Sequence, residues 1–149
     1  MTLENLRNLE KIGQMKSHVT GKEEILRLLE AAGRNLADAG VVLISCETRF
    51  DSAYKAIMQL ALAAMMANGF RPDTSRPGHH MTVIQSLPQT IGLPTARMAV
   101  LDVLRRKRNL TDYSGGWVDD VSMEQCITEA KDLRRWESTM DFSGRRLFD

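Results

Sequence analysis

From Ser45 to Asn68 the chain reads Ser45-Cys46-Glu47-Thr48-Arg49-Phe50-Asp51-Ser52-Ala53-Tyr54-Lys55-Ala56-Ile57-Met58-Gln59-Leu60-Ala61-Leu62-Ala63-Ala64-Met65-Met66-Ala67-Asn68. At helical periodicity Phe50, Ala53, Tyr54, Ile57, Leu60, Ala61, Ala64 and Met65 form one stripe. Met58, Leu62 and Met66 form a second. A helix that is apolar on two faces has to be covered on both. The stretch is therefore expected to be the inner helix of a bundle or part of a dimer interface, stopped by Asn68-Gly69. Ala, Leu, Met, Glu, Lys and Arg dominate the rest of the chain, and these lose little rotamer freedom in a helix. Sustained two-residue alternation is missing. Only Val41-Val42-Leu43-Ile44 comes near it, and it is too short to build a sheet. The fold class read from this is all-α.

Working toward the N-terminus, Thr20-Gly21-Lys22-Glu23 has the Thr-x-x-Glu form of a capping box. It predicts a helix with Ile25, Leu28, Leu29, Ala32 and Leu36 inward, ending at Gly40. A short first helix is expected from Leu3 to about Met15. Working toward the C-terminus, Pro72, Pro77 and Gly78 make residues 70–78 a loop. A short helix should follow from His79 or His80 to about Leu87. Pro88, Gly92 and Pro94 punctuate the next connection, and Pro94 suits the first turn of a fifth helix. That helix carries Met98, Leu101 and Leu104 and is expected to end near Asn109, with a turn over Asp112–Gly116. Ser122-Met123-Glu124-Gln125 reads as a second capping box. It opens a last helix with Ile127, Ala130, Leu133 and Met140 inward. The tail from Ser143 is expected to be loose. Short connections favour antiparallel neighbours, so the expected architecture is one up-and-down bundle of four to five helices over residues 1–149, with its core over about 20–141.

Composition narrows the functional classes. With 149 residues, 43% hydrophobic and 26% charged, the chain is an ordinary globular mixture long enough to bury a core. A net charge of +1 gives no global pull toward nucleic acid or an anionic membrane, so any such contact needs a local patch. The polar start Met1-Thr2-Leu3-Glu4-Asn5-Leu6-Arg7 is unlike a signal peptide. Ala56 to Ala67 is too short to span a bilayer. A cytoplasmic protein without membrane contact is the expectation. Cys46 and Cys126 match no metal spacing and read as buried, reduced thiols, with a disulfide as the alternative. Adjacent His79 and His80 point about 100° apart on a helix and do not easily chelate one ion. No metal and no cofactor are expected.

The densest polar constellation is Leu104-Arg105-Arg106-Lys107-Arg108-Asn109-Leu110-Thr111-Asp112-Tyr113. One reading is a solvated helix end, with cations favoured by the helix dipole and Asp102 paired to Arg106 four residues on. The other reading starts from spacing. If the helix lasts that far, Arg105, Arg108, Asn109 and Asp112 share a face. Guanidinium groups there would bind phosphate bidentately, and Tyr113 would add a hydroxyl or a stacking ring.

Three segments, Arg49–Ala56, Gly78–Gln85 and Leu101–Tyr113, resemble in order the signature regions of HEPN domains. The resemblance spans about residues 22–140. It implies a helical bundle that commonly dimerises. Many members of the family are RNA-cutting toxins encoded beside a minimal nucleotidyltransferase antitoxin, and others are non-catalytic nucleic-acid or nucleotide-binding modules. Catalytic members carry an Arg-polar-x-x-x-His motif. Here Arg108 and Asn109 match its first two positions, and Tyr113 stands where the histidine belongs. A phenol with a reference pKa of about 10 is a poor proton shuttle near neutrality.

Three functional readings follow. In the first, a non-catalytic HEPN-like homodimer uses Arg105, Arg108, Asn109, Asp112 and Tyr113 to bind RNA, a nucleotide or a nucleotidyltransferase-like partner, as in a toxin–antitoxin-like pair. In the second, a divergent metal-independent ribonuclease uses Arg108 for the phosphorane and His80 for proton transfer, provided the bundle brings His80 to the Arg108 face. In the third, the basic helix end only makes internal salt bridges with Asp51, Asp102 or Asp112. Phe50, Tyr54 and the Met58, Met65, Met66 group read as core, and an exposed Trp117 or Trp136 would mark an interface.

Overall fold

Helix α3, Cys46–Ala67, is the axis around which the other elements are arranged in the computed structural model, which describes residues 2–140 and side chains from Glu4 onward. Ser45 caps it, its hydroxyl accepting from the Thr48 backbone N–H at 3.2 Å, and Asn68 closes it. Its first stripe is buried: Phe50, Ile57, Leu60 and Met65 have almost no exposed surface. Each such side chain stabilises the fold by roughly 1.5–3 kcal/mol relative to exposure. The second stripe is covered unevenly. Met66 packs with Ile25, Ala63 and Ala67, whereas Met58 and Leu62 are only half-buried.

The remaining described elements follow in order: α1 Thr2–Lys11, β1 Met15–Ser17, α2 Lys22–Ala39, then after α3 the strand β2 Phe70–Pro72, α4 His79–Gln85, α5 Leu87–Ile91, α6 Thr95–Ser114 and α7 Asp120–Ser138. The expected all-α bundle is present, with α2, α3, α6 and α7 as its long members. Helices α2 and α7 pack broadly on α3. Helix α6 departs from a simple up-and-down arrangement, since its broadest contact is with short α4 and only narrower ones reach α3 and α7.

Several expected boundaries are corrected. The first helix stops at Lys11, because Gly13 takes the left-handed region at φ +80°. Met15–Ser17 then pairs antiparallel with Phe70–Pro72, Met15 opposite Pro72, inside the segment expected to be loop. Three residues are too few to show alternation, so this ribbon left no period to read. The first capping box lies one residue later than expected: Gly21 is the N-cap, and its backbone N–H donates to Glu24 Oε2 at 2.9 Å. The last helix begins at Asp120 rather than Ser122, with Asp119 accepting from the Ser122 N–H at 2.9 Å. Pro88 opens the one-turn helix α5, a place where its missing N–H costs nothing. Val41–Ile44, as expected, builds no sheet and is an exposed turn. Residues expected in a loose tail lie outside the described residues. Among the described residues no helix is long and apolar enough to cross a membrane.

The correction that matters most concerns α6. It continues through Ser114 and is closed by left-handed Gly115, so Arg105–Tyr113 is helical throughout. No basic residue falls in the last turn. The helix dipole acts mainly within that turn and therefore does not account for the cationic run.

Candidate functional site

Because α6 lies against α4, its arginines face the two histidines of the short helix. Gly78, left-handed at φ +82°, turns the loop into α4 and brings His79 and His80 to its start. Their rings meet edge to face, with centroids 4.7 Å apart. His80 Nδ1 lies 3.5 Å from Tyr54 Oη of α3. The Arg108 guanidinium stacks over the Tyr54 ring, 5.1 Å from its centroid. Three helices thus contribute one residue each to a Tyr54–His80–Arg108 cluster.

Two cavities flank this cluster. One, of about 540 Å³, has an apolar floor of Met58, Leu62, Pro72 and Val83, and Lys55, Gln59 and Thr74 stand around it. The other, of about 520 Å³, is polar and is bounded by Arg105, Asn109, Asp112 and Tyr113 of α6 and the start of α4. His79, His80 and Arg108 line both.

The cations of α6 divide into two kinds. Arg105 Nε donates to Asp102 Oδ1 at 2.8 Å, with both side chains largely buried, and Arg106 reaches the other carboxylate oxygen at 3.6 Å. Arg108 makes a longer pair with Asp112 at 3.6 Å, and its side chain is 32% exposed. Arg106 points outward at 63% exposure, and of the two arginines that line the cavities Arg108 is the more accessible. The internal salt-bridge reading fits Arg105 and does not fit Arg108, which opens onto both cavities.

Electrostatics sets the protonation states. Burial holds His80 below its ordinary pKa, and the positive charge of His79, Arg108 and Arg105 adds to this. The ring is therefore neutral near pH 7. Burial pushes Tyr54 up to about 12 against the pull of Arg108 and Arg105. It keeps its proton, and its hydroxyl can donate to His80 Nδ1 or accept from it; in either tautomer the neutral ring offers one N–H and one lone pair. Desolvation raises the Asp51 carboxyl, helped by Asp112 and Glu47 and opposed by Arg108.

Arg105, Arg108, Asn109, Asp112 and Tyr113 do come together on one wall, and His80 joins them from α4. Tyr113 is 92% exposed at the rim. Sequence reasoning placed Tyr54 in the core alone. It is buried, yet its hydroxyl and ring face carry the cluster. Met58, read as core filler, and Leu62, read only as part of the second stripe, pack against the core and also line a cavity. Their only signal was membership of the second stripe. Cys46 is free and half-buried, its Sγ donating to Asp120 Oδ1 at 2.9 Å, and Cys126 is free and buried. No group of His, Cys, Asp and Glu among the described residues could hold a metal ion. Trp136 donates to the Ile91 carbonyl at 3.0 Å, whereas Trp117 is exposed.

Fold and site together define a helical bundle with a basic, histidine-bearing cleft. Compared with protein-family models, curated proteins and solved structures, the chain matches none.

Proposed function

We propose that this protein is a HEPN-like, non-catalytic module that binds the phosphate groups of RNA or a nucleotide in the Arg108–His80 cleft. One observation carries the reading. The Arg108 guanidinium is fixed over Tyr54, partly exposed, and open to two cavities that His80 also lines. Arginine offers planar paired donors to phosphate, and the single N–H of neutral His80 can add a third. Tyr113 in place of the histidine of the Arg-polar-x-x-x-His motif favours binding over catalysis, because a phenol is a poor proton shuttle near neutrality.

The test is binding of the purified protein to a mixed RNA pool at two salt concentrations, with cleavage followed in the same tubes. Salt-sensitive binding without cleavage, weakened roughly 10- to 100-fold by Arg108→Ala, is the expected result. A metal-independent ribonuclease is the second reading, favoured by the position of His80 beside Arg108. It requires cleavage that disappears in both Arg108→Ala and His80→Ala, and cleavage surviving His80→Ala removes it.

The module is further proposed to act as a homodimer or with a nucleotidyltransferase-like protein, as in a toxin–antitoxin pair. Leu43, Trp117 and Val121 are 94%, 88% and 75% exposed. The Cys46–Asp120 contact sets the starts of α3 and α7 side by side, so these apolar residues flank one end of the bundle. Light scattering should give twice the chain mass, reduced to one chain by Leu43→Ser with Trp117→Ser.

A further inference from the structure

Phosphate binding in the polar cavity leaves the apolar one beside it without a role. Met58 and Leu62 come from the second stripe of α3, Pro72 from β2 and Val83 from α4, and together they floor a space of about 540 Å³ that ends at the Arg108–His80 wall. We infer that this cavity binds a medium-chain aliphatic carboxylate, its tail over Met58, Leu62 and Val83 and its carboxylate on Arg108, and that such a ligand displaces phosphate from the same arginine. The acyl site stands on the cavity itself. Only the displacement rests on the phosphate-binding reading above.

Four observations lead to it. The first is size and lining: about 540 Å³ lies within the roughly 300–1,000 Å³ typical of small-ligand pockets, which are mainly apolar with a few placed polar groups. Met58 and Leu62 are only half-buried, so part of each is left for a ligand to cover. The second is the lack of a ring to stack on. Tyr54 is 2% exposed and carries Arg108 over its ring, and the His79 and His80 rings are engaged with each other edge to face. Such a lining suits an alkyl chain better than a flat heterocycle, whose face needs an open partner. The third is charge. Lys55 and Arg108 line the cavity against one carboxylate, Asp51, an excess of one positive charge before either histidine is counted. A monoanion balances it, and guanidinium holds a carboxylate through two parallel N–H donors. The fourth is the rim. The Gln59 carbonyl accepts from Asn35 Nδ2 at 2.8 Å, and Thr74 is exposed to water. Neither requires a polar group on the ligand, whose polar contact is confined to one end.

Arg108 lines both cavities, and one guanidinium cannot grip a carboxylate on one side and a phosphate on the other at full strength. Each ligand therefore lowers the affinity of the other, by the same factor in both directions. The buried tail supplies the carboxylate with affinity that the polar cavity does not offer.

The experiment is titration calorimetry of the full chain with butyrate, hexanoate, octanoate and octylamine, followed by RNA-pool binding with octanoate or butyrate present. On the unaltered protein octanoate should bind as one molecule per chain, with affinity rising from butyrate by up to roughly fourfold per methylene. It should bind roughly tenfold or more tighter than octylamine, whose head has the wrong charge. Leu62→Trp, which fills the cavity, and Arg108→Ala, which removes the head contact, should each weaken octanoate roughly tenfold. The chain-length series needs no variant, so it decides the matter even where Leu62→Trp fails to fold. Saturating octanoate should weaken RNA binding several-fold, and butyrate at the same concentration should not. Affinity independent of chain length, octylamine binding as tightly as octanoate, or octanoate binding unchanged in Arg108→Ala each overturns the acyl site. Octanoate binding with RNA affinity unmoved overturns the displacement. Octanoate binding without any RNA binding overturns the phosphate-binding reading and leaves the acyl site standing.

Discussion

Arg105 and Arg108 stand one turn apart on the same helix, each beside an aspartate, and the fold uses them differently. Arg105 closes on Asp102, both side chains largely buried, in a pair that Arg106 completes from outside. Arg108 keeps a looser, exposed partner in Asp112 and lays its guanidinium on Tyr54. The sequence offers the two arginines as equivalents. What separates them is what lies across from each, and only Arg108 faces cavities on both sides. A buried pair fixes the helix. An open cation held by a ring face is left able to bind.

The contrast can be broken at its closed end first. Asp102→Ala leaves Arg105 buried without its carboxylate and should cost about 3 kcal/mol of stability. Urea unfolding measures this, and a loss under about 1 kcal/mol would mean that the pair holds nothing in place. Glu137 provides a second buried acid for comparison. It is 4% exposed, and both carboxylate oxygens lack a hydrogen-bond partner. Burial raises its pKa well above the ordinary 4.5, so the folded state holds a proton that the unfolded state gives up. Stability is then fully present below about pH 4.5 and falls as pH rises toward the folded pKa. Glu137→Met should stabilise the protein at pH 7 by on the order of 1–3 kcal/mol, the cost of an unsatisfied buried polar group. Unfolding curves at pH 4 and pH 7 test this, because the gain should shrink at the lower pH.

At the open end the expected stability effect is small. Arg108→Ala should change unfolding by less than about 1 kcal/mol, since its pair is partly solvated, while ligand affinity falls sharply. A loss equal to that of Asp102→Ala would erase the contrast. The smallest effect sharpens it. An NMR titration should place the His80 midpoint below 6.5, the ordinary value. The groups facing it are Tyr54, Asp51 and Lys55 from α3, His79 from α4, and Arg105, Arg108 and Asp112 from α6. The folded pKa is depressed, so protonation opposes folding: this cost is absent above the ordinary value and appears as pH falls below it. Anion affinity should move the other way, rising a few-fold as the ring becomes charged.

Legibility in the sequence followed element length. The two-faced pattern of α3 spans six turns, and both its ends were read to within a residue, because Ser45 and Asn68-Gly69 signal locally. The β1–β2 ribbon could not be read, since three residues carry no period and the partners are far apart in the chain. Of the site, the shared face of Arg105, Arg108, Asn109 and Asp112 was visible from spacing once the helix was known to continue. That continuation was not visible, because Asp112-Tyr113-Ser114 has the composition of a turn and only left-handed Gly115 marks the true end.

The sequence by itself determined the all-α class, the inner helix and the location of the polar face, since these depend on periodicity and on caps within a few residues. Tertiary structure alone decided that α6 leans on α4, that His80 meets Arg108, that Tyr54 serves the site from within the core, and that Arg105 is closed while Arg108 is open. Those outcomes depend on contacts between residues distant in the chain, and neither helical period nor local propensity encodes which side chain will lie opposite another.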